Sequence, residues 1–158
     1  MNNPPLGNTH STAATERKVD TLLAHYGLSH THPTNEWIHF FAIPAIMLSL
    51  TGLLFALHPA LALVMFAGSM VYYARLSWRF TGCMLLVSSV LLAVADALDG
   101  WGVLLPVSVV VFVVAWIFQF IGHRIEGKKP SFFEDVQYLL VGPLFVLSKV
   151  FLRLGVRW

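Results

Sequence analysis

The chain has 158 residues, of which 57% are hydrophobic and only 11% charged, with a formal net charge of +2. That balance excludes an ordinary soluble domain and makes a membrane the natural solvent. The charge is too small and too scattered for the basic stripe of a nucleic-acid-binding surface, and a single cysteine, Cys83, excludes both a disulfide framework and a cysteine metal cage.

Residues 1–20 are polar and rich in Asn and Thr, with no apolar stretch. They are expected to form a disordered lead-in carrying His10, not a cleaved signal peptide. Residues 21–158 are expected to form one membrane-embedded domain. A spanning helix needs roughly 20 mostly apolar residues, and four segments qualify. The first, 37–57, contains Pro44, which neighbouring helices can accommodate, and ends at a tight His58-Pro59 turn. The second and third, 60–77 and 81–97, are joined by a corner from Arg75 to Arg79. The fourth, 102–122, is rich in Val and Phe and follows a turn containing Asp96, Asp99 and Gly100. A last apolar stretch, 136–152, contains Gly142-Pro143 and Lys149, and reads as a broken or interfacial helix. The expected fold class is therefore all-α: an integral membrane helical bundle of four spans plus that C-terminal helix.

Lys and Arg in short loops hold those loops in the cytoplasm. Arg17 and Lys18 precede the first span, Arg75 and Arg79 lie between the second and third, and Arg124, Lys128, Lys129, Lys149, Arg153 and Arg157 follow the fourth. The two opposite loops contain none. Both termini are expected in the cytoplasm, with the protein in a bacterial inner membrane or, in a eukaryote, the endoplasmic reticulum.

With four spans, the start of the first and the end of the fourth share one membrane face. Asn35 and His39 are four apart, hence on one side of a helix, and Gln119, His123 and Glu126 follow a four-then-three spacing with the same property. His30 lies just upstream of Pro33, and Thr34 or Asn35 is the expected cap of the first span. A lone histidine at a membrane boundary is ordinarily an interfacial polar residue. Three that converge make a metal site, and nitrogen ligands with a carboxylate nearby suit iron, zinc or copper. No HExxH or CxxC pair narrows the choice. His25 and His32 are candidate extra ligands or supporting partners, whereas His58 belongs to the opposite face.

Three blocks of sequence resemble a known family: Tyr26-x3-His30-x4-Asn35-x3-His39-x4-Pro44, Trp116-x2-Gln119-x2-Gly122-His123-x2-Glu126-Gly127-x2-Pro130, and Gly142-Pro143-Leu144-Phe145. On these the chain is similar to the iron(II)-dependent 2-hydroxy-fatty-acid dioxygenases, small membrane proteins of phytosphingosine breakdown to odd-numbered fatty acids. The resemblance implies that dioxygen converts a 2-hydroxy fatty acid into an aldehyde or acid one carbon shorter, with loss of the carboxyl carbon. It further implies Fe(2+) held by His30, His39 and His123, with Glu126 or His25 as candidates to complete the shell. The substrate's carboxylate and 2-hydroxyl could then chelate the metal, with the acyl chain lying between the helices. Tyr26, Asn35 and Gln119 are candidate supporting donors, and Arg124, Lys128 or Lys129 candidate partners of the carboxylate, against their ordinary reading as positive-inside anchors. Two alternatives stay open: a b-type haem protein with His39 and His123 as axial ligands, and a non-catalytic lipid-binding membrane protein. A diiron hydroxylase would need HxxxH and HxxHH boxes that the chain lacks.

Overall fold

The computed structural model describes residues 17–130 and 137–158. The lead-in up to residue 16, with His10, and residues 131–136, the last of which begins the final apolar stretch, lie outside the described residues. The described residues form six helices and no strand: α1 (Lys18–Gly27), α2 (Pro33–Leu57), α3 (Pro59–Ala74), α4 (Trp78–Gly100), α5 (Leu104–Glu126) and α6 (Tyr138–Arg153).

Helix α1 takes in Lys18 to Asp20, at the end of the expected lead-in. Its buried residues Val19, Leu22, Leu23 and Tyr26 recur at helical spacing, so one face of a short helix is apolar. That face packs on α6, where Tyr138, Val141 and Phe145 complete a shared core.

The caps of α2 and α3 are built alike. His32 and His58 each precede a proline at the first helical position, and each imidazole Nδ1 accepts from the backbone N–H two residues on: Thr34 N and Ala60 N, both at 3.2 Å. Proline is preorganised for that position and has no N–H to leave unpaired. The cap of α2 therefore falls on His32, not on Thr34 or Asn35.

Three helices, α2, α4 and α5, are long and apolar enough to cross a membrane. The expected second span is apolar, but α3 has only 16 residues, about 24 Å at 1.5 Å per residue, short of a hydrocarbon core of about 30 Å. Helix α5 continues past the expected end at 122, so His123 and Glu126 are helical. Of the two expectations for the last stretch, a broken or an interfacial helix, the break is not seen at Gly142-Pro143: α6 is one helix of 16 residues with Pro143 inside it. Pro143 removes a single backbone hydrogen bond, and Val141, Gly142, Pro143 and Leu144 are all buried, so packing on both sides carries the helix through.

Helix α2 is the hub, packed against α3, α4, α6 and most extensively α5. Small residues permit the α2–α5 approach: a Cβ on Gly52 would collide with Ser108 Oγ, and one on Gly122 with Asn35 Oδ1. Close approach at Gly122 brings the start of α2 and the end of α5 together, and α1 and α6 close over them.

Candidate metal centre

His30 lies in the 28–32 loop between α1 and α2, whose turn is held by His30 N donating to Gly27 O at 3.0 Å. Its ring Nδ1–H donates to Tyr26 O at 2.7 Å. On α2, His39 Nδ1–H donates to Asn35 O at 2.9 Å. A carbonyl only accepts, so both rings carry their proton on Nδ1 and present Nε2 as a lone pair. Helix α5 supplies His123, whose Nε2 lies 3.1 Å from His39 Nε2. One ligand nitrogen from each of the three lies within 4.8 Å of the other two. All three side chains are buried, at 2%, 1% and 3% exposure for His30, His39 and His123.

The protein alone does not satisfy this cluster. If His123 Nε2 donates to His39, then His30 Nε2 and His123 Nδ1 remain buried without partners, at about 1–3 kcal/mol each. A single cation bound by the converging lone pairs would satisfy His30 Nε2 and relieve the facing Nε2 atoms of His39 and His123, leaving His123 Nδ1–H for another acceptor, so the donor set fits a metal. Burial holds the His30 pKa below its ordinary value, which keeps the ring neutral and ligating. The Tyr26 ring stacks on it, centroids 4.2 Å apart and 7° between planes, and burial pushes the Tyr26 hydroxyl up, so it stays protonated.

The match to known proteins covers this whole arrangement. Residues 17–154 match the model of the family described as 2-hydroxy-palmitic acid dioxygenase Mpo1-like. The chain belongs to the Mpo1-like family. It is 28% identical over 142 residues to the 2-hydroxy-palmitic acid dioxygenase MPO1 of Saccharomyces cerevisiae, a match covering 84% of this chain and 79% of the yeast protein. No solved structure matches. The matched span contains all six helices of this Mpo1-like chain and its three clustered histidines.

The other predicted residues divide by what they touch. Glu126 accepts from Thr31 N (2.9 Å), Thr31 Oγ1 (2.5 Å), His32 N (2.8 Å) and Asn35 Nδ2 (3.1 Å). Both carboxylate oxygens are thus occupied in strapping the His30 loop to the end of α5. Asn35 also donates to Ser29 O at 3.2 Å, while its Oδ1 has no partner. Gln119 Oε1 and His123 Nδ1, one turn apart on α5, are both buried and unpartnered. His25 Nδ1 lies 2.7 Å from the Tyr138 hydroxyl, and His32 caps α2, so neither joins the cluster. Lys128 Nζ donates to Leu28 O at 2.5 Å, and Arg124 is exposed. Gly127, at φ 72°, closes α5 in the left-handed conformation that ends the helix directly after Glu126.

Three cavities reach this region. One of about 60 Å³ is lined by His39, Phe145, Glu36 and Lys149. A second of about 40 Å³ touches His123, Gln119 and Tyr26, and a third of about 100 Å³ extends it along α2 toward Thr51. Neither Arg124 nor Lys128 lines any of them. Lys149, which the sequence marked only as a charge inside an apolar run, does.

Proposed function

We propose that this Mpo1-like protein is an iron(II)-dependent dioxygenase that shortens long-chain 2-hydroxy fatty acids by one carbon. The observation that carries it is the buried convergence of His30, His39 and His123 in a chain of that family. Three neutral nitrogens, with no carboxylate clustered on them among the described residues, differ from the 2-His-1-carboxylate triad, yet equally leave coordination positions open. Iron(II) held there would supply Lewis acidity toward the substrate's carboxylate and 2-hydroxyl and a route for electrons to dioxygen.

The stoichiometry supports the reading. R–CH(OH)–COOH plus O2 gives R–COOH, CO2 and H2O, with the C1–C2 bond broken. Four electrons leave the substrate and one dioxygen takes all four, so no separate reductant is needed.

The chain's own residues bind and orient. His30 and His39 are locked by Tyr26 O and Asn35 O, Glu126 fixes the loop, and Gln119 Oε1, a buried acceptor without a partner one turn away on α5, is the candidate acceptor for His123 Nδ1–H. Asn35 Oδ1 is a spare buried acceptor for a substrate hydroxyl. The site lies where α2 begins and α5 ends, alongside the basic residues of α6 and the loops. By the positive-inside rule this is the cytoplasmic boundary, where an amphiphile keeps its head in water and its tail in hydrocarbon. A haem fits less well, because His39 and His123 Nε2 atoms only 3.1 Å apart leave no slot for a porphyrin between them.

The test is detergent-purified protein incubated with Fe(II), dioxygen and 2-hydroxyhexadecanoate labelled in the carboxyl carbon. Labelled CO2 and unlabelled pentadecanoic acid are expected. Metal binding without a shortened product, or a Soret band in the purified protein, overturns the reading.

A further inference from the structure

Helices α2 and α6 pass each other antiparallel: Arg153 lies over the Trp37 ring and Lys149 pairs with Glu36, while deeper along the same contact Gly142 abuts Ile43. The first two cavities follow this seam in order, and the third opens beyond them between α2, α3 and α4. The first lies between the Glu36–Lys149 pair and His39, and the second begins one turn further on at Ile43 and Gly142. The second and third share Ile46, Met47, Leu139 and Pro143 as common walls. Polar character falls along the way. Charges stand at one end, histidines come next, and then a wall of Ile, Met, Leu and Pro.

Lys149 is the cation of that sequence. Its Nζ lies 2.5 Å from Glu36 Oε1 and 5.0 Å from the Phe145 ring centroid, and Phe145 itself packs on His30 with centroids 5.4 Å apart. Phe145 thus adjoins both the ammonium and the histidine cluster, and Lys149 and His39 line one cavity. The pair is about 40% exposed, 41% for Lys149 and 38% for Glu36, so little stability is lost when the partners separate.

The geometry points to the α2–α6 seam as the track on which a 2-hydroxy fatty acid lies lengthwise, its carboxylate replacing Glu36 on Lys149 in the cavity that His39 also lines, so that C1 and C2 stay at the histidines, and its chain running on toward Met47. This rests on the dioxygenase reading for its substrate class. Glu36 is then a built-in competitor: it holds Lys149 in place in the free protein and must be displaced by the incoming carboxylate. Met47 and its neighbours form the neck through which the chain reaches the deeper cavity, and so set how long a chain is accepted.

The experiment measures turnover of 2-hydroxyhexadecanoate by the full-length iron-loaded protein, and binding of the acid and of its methyl ester to the same protein by thermal shift. Lys149→Gln raises KM for the acid about tenfold with kcat nearly unchanged, and Lys149→Arg restores it. Glu36→Gln works in the opposite direction, lowering KM about threefold, because the competitor is gone. Neither substitution changes binding of the ester. Met47→Trp shifts the preference toward 2-hydroxydodecanoate by about tenfold in kcat/KM. The Glu36 arm keeps Lys149 intact and stands alone if the lysine variant does not fold. If Lys149→Gln and Glu36→Gln both raise KM for the acid and weaken binding of acid and ester equally, the pair is only a brace between helices and the track is wrong. Binding of 2-hydroxyhexadecanoate followed by thermal shift separates the two ideas. Lys149-dependent binding without a shortened product supports the track and sinks the dioxygenase reading; shortening indifferent to Lys149, Glu36 and Met47 does the reverse.

Discussion

His39 divides its two ring nitrogens between tasks: Nδ1–H is tied to Asn35 O, and Nε2 faces the cluster. Removing that imidazole by His39→Ala takes away one of three ligand nitrogens and is expected to abolish stoichiometric metal in the purified protein, read by elemental analysis. Glu126 acts one step removed, since its four hydrogen bonds all go to the 31–35 segment. Glu126→Ala is therefore expected to weaken metal binding about 10- to 100-fold in competition with a chromophoric chelator. Glu126→Gln, which keeps one acceptor oxygen, should lose less. Equal loss in both would make the carboxylate charge, and not the strap, the operative feature. His39 and His123 were legible in the sequence because each sits one turn from a polar partner on the same helix face. The strap was not, because it joins residues 95 positions apart and looks, from sequence, like a fourth ligand.

The elements position these residues through close backbone approach, most of all between α2 and α5. Gly52 faces Ser108 with no room for a Cβ. Gly52→Ala is expected to destabilise the protein by about 1–3 kcal/mol and to lower its melting temperature in detergent. Ser108→Ala, by removing the colliding hydroxyl, should recover most of that loss in the double variant; simple additivity of the two effects would show that they do not meet. The long apolar helices were legible because composition alone marks them. Helix α1 was also written in the sequence, in the spacing of Val19, Leu22, Leu23 and Tyr26, but its ten residues are hidden by the search for 20-residue spans. Pro143 misled for a different reason: a proline's local cost is visible in sequence, whereas the burial of Val141 and Leu144 that offsets it comes only after folding, when α6 packs on α1 and α2.

At the scale of the whole molecule, the three histidines tie the 28–32 loop, α2 and α5 to a single point at one end of the bundle, and α6 closes over it. A metal bound there stabilises the folded state by mass action, about 2.7 kcal/mol at a free concentration 100-fold above its dissociation constant. Stripping the metal with a chelator is expected to lower the melting temperature, and returning Fe(II) to restore it. The opposite end supplies the control. His58 caps α3 through Ala60 N and lies 19 residues along the chain from His39, about 28 Å at helical rise. His58→Ala should destabilise by about 1 kcal/mol through the lost cap, yet leave the metal-dependent increment unchanged, because distant sites add independently. In His123→Ala the increment itself should vanish. A chelator-sensitive melting temperature that persists in His123→Ala would place the stabilising metal elsewhere and detach the cluster from that role.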